Sequence, residues 1–573
     1  MNLMSDKVTL MIGGPAGSGV LNAGLNMFAK SCLRSGLKVF TKAEYPSLIR
    51  GGHNYLTVTV DTEDVYSHSN EINLLIALDK KTVEMHLDDV KGGVIYDSTM
   101  DVEIPENVLA FSIPLKEASE KLGSEIYQNT IAIGAALGLL GLGLEELEKI
   151  IRENFFHKGE KVVNANIKAA HAGYSLSKDK KYPYKLSKQN FDDRILLNGN
   201  DAIVAGAVKA GCKFISAYPM TPATSVLTGM AKFSRDFGIV VKHTEDEIAS
   251  INMAIGAGFV GTRAMTCTSG GGFALMAEGL GLSAQAEVPV VIIESQRPGP
   301  GSGMATRTGQ GDLNFMLNAS TDEFPRVVIA PGDVNECFYL TQQAFNIAEK
   351  YQMPVIILVD KFLSTSCSSV HKFNKEMKVD RGKIVVNPEN YKRYEVTKDG
   401  ISARALPGTM GGEHVTSSYE HDEKGVEDET RENRIKMHDK RYRKFKTLEK
   451  ELSEPELKGD GDFVVVSWGS TKGIVREAEK ILKQENSDFT HLHLSFLSPF
   501  CKSVFEKLKG KKLIVVENNK TSQLSQLILK ETGIVVNHKV LKYDGRQFDP
   551  EDLAEGLRDV IATGNEEIII NGD

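Results

Sequence analysis

Apolar runs of strand length punctuate the first 375 residues: KVTLMIGGP, INLLIALD, GGVIYD, VPVVIIE, RVVIAP and MPVIILVD. They are continuous rather than alternating. That is the pattern of strands covered on both faces, as in a parallel sheet wrapped by helices. Longer stretches with helical spacing and glycine turns lie between them, so the chain predicts an α/β rhythm.

The rhythm divides the chain. Residues 1–185 form a first unit, opening strand–glycine turn–helix in KVTLMIGGPAGSGVLNAGLNMFAKSCLRSG. KLSKQNFDDRILLNGNDA links it to a second unit, residues 194–375, which begins with a helix, a strand and a proline-rich turn. From 376 to 458 the apolar rhythm fades. SYEHDEKGVEDETRENRIKMHDKRYRKFKTLEKEL alternates charge densely and predicts a solvated surface arm with an exposed helix. Residues 459–573 alternate again and predict a smaller α/β domain. No short-period repeat is present.

Composition narrows the classes. At 573 residues the chain is too long for one core. Apolar content of 41% and charge of 25% are ordinary for a globular protein, so neither disorder nor a fibrous chain is indicated. A net charge of -8 argues against a nucleic-acid partner and suits a cytoplasmic protein. The N-terminus runs straight into a strand pattern, without a signal-peptide pattern, and no apolar run is long enough to span a bilayer. Six cysteines stand far apart with no CxxC pair, which speaks against a disulfide framework, a zinc site or an iron–sulfur cluster held here.

Three stretches carry candidate chemistry. The turn Gly13–Gly19 resembles a phosphate loop but lacks the GK[ST] of a Walker motif; it serves either a nucleotide or close helix packing. AEYPSLIRGGHN, with Arg50, Gly51, Gly52 and His53, reads as a turn against another subunit. TEDEIASINMAIGAG opens with acids and continues in small apolar residues; from Glu247, Gly256 lies nine residues on, Gly261 fourteen and Arg263 sixteen. Acids there answer the helix dipole. The same pattern resembles the pyrimidine-binding domains of enzymes that use thiamine diphosphate, where a buried carboxylate bonded to the pyrimidine favours the tautomer whose own amino group is the base, and small residues let the ring approach the backbone.

Neighbouring motifs decide between these. YPMTP, TEDEIASINMAIGAG, TSGGGF, QRPGPGSGMATRTGQGDL and HDEKG resemble, in order, the α subunit of a 2-oxoacid:ferredoxin oxidoreductase, most like the 2-oxoglutarate type. GGPAGSGV and EYPSLIRGGHN resemble its γ subunit, here fused N-terminally, and SWGSTKG, SFLSPF and VVENNKTSQL resemble its transketolase-like C-terminal domain. The resemblance implies a γ-type α/β domain, a parallel-sheet domain of the thiamine diphosphate pyrimidine-binding fold, and a smaller transketolase C-terminal-like α/β domain. It implies Glu247 against the pyrimidine, with Glu245 as the fallback and Ser269 and Gly270 in the cofactor turn. Thr221 and Tyr218 would meet the 2-oxoacid head, and Arg307, with Arg297 as rival, its carboxylate.

The implied reaction is oxidative decarboxylation of a 2-oxoacid with CoA to acyl-CoA and CO2, electrons passing to ferredoxin. 2-Oxoglutarate is the expected substrate, with pyruvate or a broad range as the alternative. KGDGDFVVV followed by Asn486 matches the spacing of the diphosphate–magnesium motif, but a charged segment precedes Asp460 and a strand follows, where the motif needs strand then helix. No metal site is therefore expected here. The Mg2+ and the iron–sulfur cluster are expected on a separate β subunit, in a heterodimer or a dimer of heterodimers. A competing reading, a non-catalytic nucleotide-binding regulator built on Gly13–Gly19, requires the second unit's motifs to be accidental.

Overall fold

The computed structural model describes residues 7–46, 52–375 and 377–572. Residues 47–51, with Arg50 and Gly51 of the expected subunit-facing turn, lie outside them. The chain is α/β throughout, built on three sheets. It divides into two compact units: residues 1–197 with 365–373 and 549–551, and residues 198–364 with 374–548 and 552–573.

The first unit holds an eight-stranded mixed sheet. Its parallel part runs Leu109–Ile113, Val90–Asp97, Ile72–Ala77 and Val8–Pro15. Antiparallel strands His53–Asp61 and Lys38–Glu44 extend it. Cys367–His371, read above as the end of the second unit, joins this sheet beside Lys38–Glu44. Local pattern could not show this, because a strand's partner is set by ladder hydrogen bonds across hundreds of residues. Gly17 and Gly19 adopt φ of +90° and +82°, so the glycine turn uses a backbone that L side chains rarely adopt.

The second unit carries the other two sheets. The larger runs Phe496–Ser498, Val327–Ile329, Pro354–Asp360, Val290–Gln296, Ala264–Thr268, Phe214–Ala217 and Val240–His243. All are parallel except the first, which pairs antiparallel to Val327–Ile329. The smaller sheet centres on Phe463–Trp468, Thr490–Leu494 and Lys512–Glu517. One hydrophobic core joins the two sheets, with Ile292, Leu358, Phe273 and Ile251 packed together with Val466, Trp468 and Leu494.

The charged segment 376–458 departs from the expected solvated arm. Its helix Arg431–Glu451 buries Met437, Lys440, Lys444 and Leu448. Lys440 and Lys444 donate to the two oxygens of Glu287 at 2.6 and 2.9 Å, all three side chains being at most 1% exposed. Burial opposes ionisation of Glu287, but the two lysines outweigh it and hold the carboxyl well below its usual range. Glu349, 3% exposed, pairs with the buried Arg263 and, from the charged segment, with the buried Arg404 and the half-buried Arg381. An alternating charge pattern predicts solvation only while its partners are on the same segment; Glu420 does pair with Arg434 and Arg441 there, but the anions of the buried Lys440, Lys444 and Arg404 come from elsewhere in the unit.

Candidate functional site

The acidic stretch forms the helix Glu247–Phe259. Asp246 is its N-cap, and its Oδ1 accepts from the Ala249 amide at 2.7 Å. One acid is thus spent on capping. Glu247, the first helical residue, is 3% exposed, whereas Glu245 stands exposed before the helix. The small residues are used as spacing: a Cβ on Gly258 would lie 2.3 Å from the Pro289 carbonyl, while the Gly256 position faces open space. Asp246→Ala should cost about 1 kcal/mol of stability, the usual worth of an N-cap, read as a lower denaturation midpoint.

Glu247 faces the turn after the strand Ala264–Thr268. A Cβ on Gly272 would fall 2.5 Å from Glu247 Oε1 and 2.2 Å from Thr268 Oγ1, so glycine keeps this space free. Glu247 Oε1 and Ser269 Oγ are both buried with no hydrogen-bond partner. Native interiors rarely leave such atoms unsatisfied. A carboxylate oxygen and a hydroxyl, both unpartnered at one glycine-lined turn, fit the polar edge of a pyrimidine ring. At Gly270 a Cβ would lie 2.5 Å from Asp312 Oδ2, which closes the turn on its other side.

The proline-rich turn lies on the neighbouring strand end. Tyr218 is 40% exposed, and the Thr221 carbonyl accepts from Arg297 Nη1 at 2.7 Å. Met220 Sδ accepts from Thr268 Oγ1 at 3.9 Å, tying this turn to the glycine turn. The structure therefore brings Thr221 and Arg297 together. Arg307 sits half-buried in the loop that follows, its Cβ 3.4 Å from the Cβ position of Gly545. Lys458–Asp462, the GDG coincidence, precedes the strand Phe463–Trp468, and Asn486 stands in the turn after the helix Thr471–Gln484. Among the described residues, no group of three or more His, Cys, Asp or Glu is placed to hold a metal ion. No helix among them is long and apolar enough to cross a membrane.

Sequence reasoning missed Glu294 and Asp312. The run VPVVIIE predicts only a buried strand; Glu294 within it is 0% exposed, and neither of its oxygens has a partner. Its signal was present, since a lone carboxylate ends the apolar run VPVVIIE. A cavity of about 590 Å³ elsewhere in the unit, lined by Glu336, Lys472, His493, Phe496 and Cys501 among others, contains none of the candidate residues.

Comparison with known proteins gives the family. Residues 205–440 match the family described as pyruvate flavodoxin/ferredoxin oxidoreductase, thiamine diP-bdg, and residues 9–176 match pyruvate ferredoxin/flavodoxin oxidoreductase. The 2-oxoacid:ferredoxin oxidoreductase subunit alpha of Saccharolobus solfataricus is 35% identical over 99% of this chain and 100% of its own length. The 2-oxoglutarate oxidoreductase subunit KorA of Mycobacterium tuberculosis is 26% identical over 97% of this chain and 92% of its own. Among solved structures, the 2-oxoglutarate:ferredoxin oxidoreductase of Magnetococcus marinus, with 2-oxoglutarate, coenzyme A and succinyl-CoA bound, superposes with a TM-score of 0.92 at 32% identity, covering 97% of this chain and 99% of that one. With this identity along its whole length, and with a thiamine diphosphate-binding domain around Glu247, the chain belongs to the α subunits of the 2-oxoacid:ferredoxin oxidoreductases, enzymes of the EC 1.2.7 type.

Proposed function

We propose that the chain is the γα-fused α subunit of a 2-oxoglutarate:ferredoxin oxidoreductase, forming acyl-CoA and CO2 and reducing ferredoxin together with a β subunit that carries Mg2+ and an iron–sulfur cluster. The observation that carries the reading is Glu247: buried, first in its helix, with one oxygen unpartnered beside a glycine whose Cβ would displace it. The 2-oxoglutarate named with the Magnetococcus marinus structure supports the substrate. Pyruvate remains the alternative.

Thiamine diphosphate, when bound, supplies the carbon nucleophile and electron sink that a 2-oxoacid decarboxylation needs. The chain's residues do the rest. Glu247 holds a proton-sharing contact to the pyrimidine edge; its burial and position recommend it over the exposed Glu245. Ser269 and Gly270 line the turn that receives the ring. Thr221 donates to the substrate head and Tyr218 borders it. Arg307 binds the carboxylate, with Arg297, already on the Thr221 carbonyl, holding the turn in shape.

Such a chain holds half of a cofactor site. Purified alone, it should show no oxidoreductase activity and bind thiamine diphosphate weakly by calorimetry. Pulled down from its native cells, it should bring a smaller chain with iron–sulfur absorbance. Full turnover by this chain alone would overturn the reading and restore Asp460 and Asn486 as metal-ligand candidates.

A further inference from the structure

Glu294 is not used by any of these roles. It lies in the strand Val290–Gln296, level with Thr268 on one neighbouring strand and Leu358 on the other. It therefore shares a sheet face with the residues beneath the glycine turn. The charged groups that act on it are Asp312, Asp360 and Arg297. Asp360 is already held, its Oδ1 accepting from Thr308 Oγ1 at 3.3 Å and the Leu363 amide at 3.0 Å. Arg297 donates to the Thr221 carbonyl.

An ionised Glu294 would be a bare charge. It is 0% exposed and neither oxygen meets a donor. A carboxyl in that position is far more stable with its proton on.

We propose that Glu294 is a neutral carboxylic acid and a positioning residue for Arg297: protonated, it leaves the guanidinium on the Thr221 carbonyl, and ionised, it draws the guanidinium away and dismantles the turn. The meaning given to that turn rests on the proposed function; the charge state does not. Burial, with like charge from Asp312 and Asp360, pushes Glu294 well above the ordinary carboxyl range, and burial pushes Asp312 up to about 6. The native chain thus keeps protons that the unfolded chain releases. Stability from this source falls as pH rises from the ordinary glutamate value of about 4.3 towards the native one. Asp312 and Asp360 act with the same sign, so the difference between wild type and Glu294→Gln isolates Glu294.

The test compares the full chain with Glu294→Gln, whose amide mimics a neutral acid. Raising the pH of wild type should remove a protonated-carboxyl C=O band from the infrared spectrum that Glu294→Gln lacks. The denaturation midpoint of wild type should fall more steeply with pH than that of Glu294→Gln. In the complex with the β subunit, the alkaline limb of kcat/KM should move up by about one pH unit or more in Glu294→Gln. Asp312→Asn removes a like charge and should move that limb down, an arm that stands even if Glu294→Gln fails to fold. Equal infrared and stability profiles for wild type and Glu294→Gln would overturn the proposal. So would a Glu294→Gln enzyme that is damaged alike at every pH, because the anion would then be the working form. The infrared and midpoint arms decide the point even if the complex has a different substrate.

Discussion

Glu247→Gln should cut turnover of the assembled enzyme by roughly 10²–10⁴-fold, the range typical of a lost acid–base partner. The substitution keeps shape, so the helix, its Asp246 cap and the packing of Gly258 on the Pro289 carbonyl should survive. What it removes is a carboxylate oxygen that is buried and has no partner within the chain. A structural acid at that place would have a donor; an acid waiting for a ligand's proton has none. The loss should therefore appear in kcat, with assembly and substrate affinity changed little. Glu245→Gln serves as the control, since that side chain is exposed. If Glu245→Gln does the damage and Glu247→Gln does not, the cofactor contact lies two residues earlier than proposed.

Arg307→Ala should weaken every 2-oxoacid alike, because all share the same head. The loss of one charge-assisted pair is on the order of 2–4 kcal/mol, or roughly 30- to 1000-fold in kcat/KM. Arg307→Lys should recover only part, since a lysine lacks the planar fork that meets both carboxylate oxygens. Thr221→Ala should cost less, about 1–2 kcal/mol, the loss of a neutral donor. Kinetics with 2-oxoglutarate and with pyruvate make the comparison decisive. A selective loss on 2-oxoglutarate would assign Arg307 to the distal carboxylate. Arg297 would then become the better candidate for the head, a role consistent with its 2.7 Å bond to the Thr221 carbonyl. Arg297→Ala is the matching variant, and it also removes a support of the turn, so its effect should fall on all substrates.

Much of this was legible in the chain. Continuous apolar runs announced parallel strands because burial on both faces leaves no reason to alternate. The order YPMTP, TEDEIASINMAIGAG, TSGGGF and QRPGPGSG announced the family, since each is a turn or helix start whose residues are constrained by local backbone geometry. Other features were not legible. The arm's alternating charge looked solvated because Glu287 and Glu349, the anions of its buried Lys440, Lys444 and Arg404, lie far away in sequence. Glu294 looked like a strand end because unsatisfied polar atoms exist only once the surroundings are known.

Choosing between Glu245 and Glu247 likewise needed burial, which the first turn of a helix does not reveal. The sequence by itself determined fold class, family and the short motifs, for these rest on periodicity and on contacts between residues a few positions apart. Tertiary structure decided which acid is buried, which arginine holds Thr221, and where residues 365–373 pair, for these depend on partners brought together across tens to hundreds of residues. Local pattern carries no information about such partners, because the free energy that selects them comes from burial and ladder hydrogen bonds that form only when the chain has folded.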